Sequence, residues 1–117
     1  MTPDATEQRI PEIINCLKPL DPLKVILFGS QARGAATGES DLDLLVVLKS
    51  DVLPRTHQEK ETLYLQVAKL LRDIRRETPV DLIVHTRPMH ARFIEMGSLF
   101  AEEVLQKGVV LYESDHA

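Results

Sequence analysis

The sequence predicts one layered domain of the α/β or α+β class. Three observations carry this expectation. Short apolar, β-branched runs alternate with segments of helical period along the chain. The length, 117 residues, fits one compact core and is too short for a second. Hydrophobic residues at 44% and charged residues at 27% are ordinary globular values, with no internal repeat or low-complexity stretch.

The elements follow in order. Residues 3–18 carry Ile10, Ile13, Ile14 and Leu17 at helical spacing, and Thr2 before Pro3 suits an N-cap. Pro11 inside this stretch requires either a start nearer residue 9 or a kink. Pro19 and Pro22 mark a turn. Residues 24–28 form a buried strand that stops at Gly29. Residues 29–39 hold three of the five glycines and read as a loop, with a short helix opening at Ser30. Residues 41–48 are the second strand. Residues 55–76 are the clearest helix, with Leu63, Tyr64, Val67, Leu70, Leu71 and Ile74 on one face. Pro79 ends it, and residues 80–84 form a third strand. Pro88 opens a helical region interrupted near Gly97. Ser98 caps a last short helix carrying Phe100, Val104 and Leu105. Gly108 is its C-cap, residues 109–112 are a final strand, and residues 113–117 a polar, frayed tail. The whole of residues 1–117 is expected to be one domain.

Charge and composition exclude several classes. Lys and Arg total 14 against 18 Asp and Glu, a formal net charge of −4, which disfavours blanket neutralisation of nucleic-acid phosphates. Aromatics are 4% and Trp is absent, so no broad base-stacking surface is expected. No apolar run nears the roughly 20 residues of a membrane helix. The N-terminus lacks a basic segment followed by an apolar one, and Cys16 is the single cysteine. A cytoplasmic, reducing location is the expectation. Cys16 adjoins an apolar helix face and reads as inert.

The chemistry-bearing stretch is Phe28-Gly29-Ser30-Gln31-Ala32-Arg33-Gly34, followed by Ser40-Asp41-Leu42-Asp43-Leu44. Side chains alternate along a strand, so Asp41 and Asp43 project from one face. At about 5 Å and an effective dielectric near 20, two such carboxylates repel by roughly 3 kcal/mol. A cation between them removes that cost, and hard oxygen ligands suit Mg²⁺ or Mn²⁺, which also bind phosphate. A glycine directly after a strand lets backbone N–H groups approach an anion, and the Ser30 hydroxyl adds a donor. Asp81 stands early in the third strand, as Asp41 and Asp43 do in theirs. Three carboxylates could thus meet at one sheet edge. Each feature alone is commonly a turn or a solvated strand end; their conjunction at matching strand positions points to function.

The run Gly29-Ser30-Gln31-Ala32-Arg33-Gly34, then Ser40-Asp41-Leu42-Asp43-Leu44, resembles the signature of the DNA polymerase β-like nucleotidyltransferase superfamily. The ending Gly108-Val109-Val110-Leu111-Tyr112 looks most like its minimal nucleotidyltransferase branch. The resemblance implies a single mixed β-sheet flanked by helices. It implies two Mg²⁺ held by Asp41, Asp43 and Asp81, with the triphosphate of ATP at Gly29 and Ser30. Arg33 either touches phosphate or pins the loop by pairing with an acid. The branch is commonly paired with a HEPN-domain ribonuclease toxin. The resemblance therefore implies an antitoxin that moves AMP from ATP onto a hydroxyl of that toxin, a tyrosine by expectation. Two other readings stay open: an antitoxin that neutralises by binding alone, and a transferase for a small molecule such as an aminoglycoside. The chain has no room for an acceptor-binding domain, which counts against the last. His57 and His85 read as surface or structural, and Arg87, His90 and Arg92 as a small basic, solvated cluster.

Overall fold

The computed structural model describes residues 5–29 and 42–114. The Thr2 cap, the loop helix at Ser30 and the tail beyond Ser114 lie outside them.

Helix α1 spans Ala5–Leu17 and runs continuously through Pro11. Pro11 cannot donate to the carbonyl of residue 7, a loss of about 3 kcal/mol in a helix interior. Burial of Ile13 and Leu17, each 1% exposed, contributes about 1.5–3 kcal/mol apiece and is large enough to offset it. The turn that follows ends at Asp21, a left-handed residue with φ 46°. Its carboxylate accepts from Lys49 Nζ at 2.7 Å and from Tyr112 Oη at 3.3 Å.

Strand β1, Lys24–Phe28, is central. It pairs antiparallel with β2, Leu42–Val47, on one side. On the other it pairs antiparallel with β4, Val109–Glu113, across an irregularity between Val25 and Ile26. Strand β3, Val80–His85, runs parallel to β2. The sheet order is β3-β2-β1-β4, a mixed sheet flanked by helices.

The long segment between β2 and β3 supplies the crossover that parallel strands need. It is not one helix, as the periodicity predicts. Helix α2, His57–Ala68, tightens into a 3₁₀ turn at Lys69–Leu71 before α3, Arg72–Glu77. The core positions Val67, Leu71 and Ile74 keep one buried face through the tightened turn. Thr56 caps α2, its hydroxyl accepting from Glu59 N–H at 3.1 Å.

Helix α4, Arg87–Met96, carries Pro88 in its first turn and stops at Gly97, φ +58°. Ser98 then caps α5, Leu99–Glu102, accepting from the Ala101 N–H at 3.0 Å. A π turn, Glu103–Lys107, completes the segment. Gly108 closes that turn in extended, not left-handed, geometry. Space demands the glycine: a Cβ there would overlap the Val104 carbonyl oxygen and come within 2.8 Å of Ile26 Cγ2. The tail is also more ordered than expected at its start. Glu113 belongs to β4, and Ser114 is buried, its N–H donating to Leu23 O at 2.9 Å.

The two sheet faces are unequal. Val25, Leu27, Leu42, Leu44 and Val46 pack under Ile13, Leu17, Val67, Leu71 and Ile74 from α1 to α3. The opposite face, Ile26, Phe28, Leu45 and Val47, meets Val104 and, less completely, Phe93 and Ile83. Odd-numbered positions of β2 and β3 belong to this second, thinner face.

Candidate active site

Asp43 and Asp81 are register partners across the parallel pair β2/β3. Residues opposed in this way project to the same face, about 5 Å apart between backbones. Alternation places them on the thinner face, in line with Leu45 and Ile83. Asp43 is half-buried and Asp81 exposed. On the other flank, Asp43 is the register partner of Phe28, so the end of β1 lies beside it. Gly29 follows with φ +77°, a conformation side chains disfavour. A Cβ at Gly29 would overlap Asp43 Oδ2 and lie 3.2 Å from Asp43 Cγ. The glycine is thus required twice, by its backbone angle and by the carboxylate against it.

Of the six site residues expected from sequence, Gly29, Asp43 and Asp81 are described, and Asp43 adjoins each of the other two. Ser30, Arg33 and Asp41 lie outside the described residues. Mg²⁺ is usually held by one or two carboxylates together with substrate phosphates. Asp43 and Asp81 match that donor set and are the residues that could hold such an ion. Among the described residues no cluster of three or more acid, His or Cys side chains forms a closed metal cage. Among the described residues the arrangement is a ledge at the strand ends. Two clefts elsewhere, of about 440 and 300 Å³, include neither aspartate.

The basic cluster read from sequence does not form. His90 is buried, 9% exposed, with its Nδ1 3.2 Å from Nδ1 of the equally buried His85. Arg87 turns away, donating from Nε to Lys49 O at 3.0 Å, while Arg92 is exposed. Burial pushes the His85 imidazole down to about 4, and repulsion from His90 adds to this. Burial, then Lys24, lowers His90 as well. Both rings are therefore neutral near pH 7, and one donates to the other. No sequence signal marks this pair, because a spacing of five residues across a strand end and a helix has no period. Burial raises the Cys16 thiol, in keeping with an inert side chain.

A family model described as polymerase beta, nucleotidyltransferase, matches residues 11–117. The chain belongs to this family. No curated protein matches it. Among solved structures, the nucleotidyltransferase domain resembles a candidate nucleotidyltransferase from Sulfolobus solfataricus, with 22% identity, TM-score 0.59, and coverage of 100% of this chain and 94% of that one. It also resembles a chain of a toxin–antitoxin complex with AMP-PNP, at 22% identity and TM-score 0.57, covering 91% and 74%. A third likeness is to a chain of the toxin–antitoxin MntA-HepT, at 20% identity and TM-score 0.53, covering 92% and 73%. At these identities the likeness is one of fold. No helix among the described residues is long and apolar enough to cross a membrane.

Proposed function

We propose that this nucleotidyltransferase is the antitoxin of a toxin–antitoxin pair and transfers AMP from ATP to a tyrosine hydroxyl of a HEPN-domain toxin. The observation that carries the transfer chemistry is the Asp43–Asp81 register pair set against Gly29. Family membership supports transferase activity, and the fold likeness to chains of toxin–antitoxin complexes, one with AMP-PNP, supports the partner and the nucleotide.

In the proposed reaction, Gly29 and Ser30 seat the triphosphate at the end of β1, beside the Asp43 carboxylate. Asp41, Asp43 and Asp81 would hold two Mg²⁺. When bound, these ions would offset the triphosphate charge and lower the pKa of the acceptor hydroxyl. The acceptor oxygen forms a bond to the α-phosphorus as the bond from that phosphorus to the bridging oxygen breaks, and pyrophosphate leaves. In this reading Asp81, the more exposed carboxylate, receives the acceptor proton. Arg33 contacts phosphate or holds the loop.

The test is intact mass of the toxin after incubation with the chain, ATP and Mg²⁺. Gains in AMP-sized steps are expected, and none with Asp43→Asn. Neutralisation of the toxin without a mass gain would favour the reading in which the antitoxin acts by binding alone.

A further inference from the structure

The thinner sheet face carries a line of aromatic rings that ends beside the carboxylates. Phe28, the register partner of Asp43, is 7% exposed. The Phe100 ring stands edge-on to it, with centroids 5.5 Å apart and planes at 81°. Phe93 meets Phe100 in the same manner, at 5.9 Å and 75°. Phe100 is thus held at two contacts by rings of the core, yet it is 44% exposed. Edge-to-face contacts of this kind orient a ring without covering both of its faces. A phenylalanine fixed in orientation, half exposed, and one side chain away from the Asp43–Gly29 ledge is poised to receive a planar group.

We propose that the exposed face of Phe100 is a stacking platform for the nucleobase of the triphosphate substrate. This rests on the nucleotidyltransferase reading above. With the phosphates beside Gly29 and Asp43, a base reaching along the same face meets the Phe28–Phe100 pair. Phe93 and Ile83 add apolar area on this face, so ring area contributes to recognition. Purines are preferred over pyrimidines, and ATP and GTP bind with similar affinity.

The chain contains no Trp, so Phe100→Trp introduces a single indole reporter. Its fluorescence is expected to be quenched saturably by Mg-ATP and Mg-GTP, less by Mg-UTP, and not by Mg-tripolyphosphate. Phe100→Leu keeps apolar packing but removes the ring. Its Kd for Mg-ATP, by calorimetry, should rise between about five- and a hundred-fold, while its Kd for Mg-tripolyphosphate stays that of the parent. Phe100→Tyr should restore ATP affinity. A melting curve for each variant verifies folding. Equal ATP affinity in Phe100→Leu and the parent would overturn the platform while leaving the transferase reading intact. A reporter that responds to N-acetyltyrosinamide but not to Mg-ATP would reassign the ring to the acceptor and overturn the proposal. Absence of any Mg-tripolyphosphate binding by the parent would remove the nucleotidyltransferase reading and this inference together.

Discussion

Replacing Gly29 with alanine measures how tightly the end of β1 is fitted to the Asp43 carboxylate. Two costs arise. A residue with a Cβ held at φ +77° is strained by about 1–2 kcal/mol. The new methyl also overlaps Asp43 Oδ2, so Asp43 must leave its rotamer, at about 0.5–1.5 kcal/mol. The sum is about 1.5–3.5 kcal/mol, read as a lower urea midpoint at constant slope. The two costs separate in a double-mutant cycle. In an Asp43→Ala background the overlap is gone and only the backbone strain remains. Gly29→Ala should then cost about 1 kcal/mol less than in the parent, a coupling typical of residues in contact. In the parent background the displaced carboxylate should also weaken binding of Mg-ATP. An equal loss of stability in both backgrounds would refute the close approach, and so would a Gly29→Ala protein with parental ATP affinity.

Three further outcomes are expected. The buried His85 has a folded-state pKa of about 4 against 6.5 when unfolded, so its contribution is full above pH 6.5 and is lost as pH falls toward 4. That shift corresponds to at most about 3 kcal/mol, and His85→Leu should flatten this part of the stability–pH curve measured by urea unfolding. If parent and variant lose stability in parallel between pH 6.5 and 4, the imidazole is not buried neutral. Gly108→Ala should destabilise by about 1–3 kcal/mol, because the Val104 carbonyl is backbone and cannot move aside; a neutral substitution would mean the turn is looser than described. Asp43→Asn removes one of two like charges sharing a face, so in chelator its Tm should equal or exceed the parent's. Mg-ATP should raise the parent's Tm and barely move the variant's, and a variant that is less stable in chelator, with no Mg-ATP shift in the parent, would mark Asp43 as structural.

Much of the fold could be read from local pattern because local physics decides it. Residues 24–28 and 80–84 are apolar runs bounded by Gly29 and Pro79, and they are strands. The Ser98 cap and the Gly97 stop work through hydrogen bonds and backbone angles within four residues. The candidate site was legible for the same reason: alternation orients Asp43, and its glycine and carboxylates sit in one short motif, with Asp81 at the matching point of the next strand. Tertiary structure decided what no local pattern encodes. The 3₁₀ turn at Lys69–Leu71 interrupts a continuous helical pattern where the segment packs against α1. Pro11 is tolerated because Ile13 and Leu17 find a core to enter. His85 and His90 become a buried neutral pair only when α4 folds back on β3. Register placed Asp81 opposite Asp43, and packing of α5 on the sheet placed Phe100 against Phe28, joining segments 38 and 72 residues apart. The physical reason is range: capping, alternation and turn chemistry act over a few residues, whereas pKa, close approach and ring stacking depend on which distant segments share the same few ångströms.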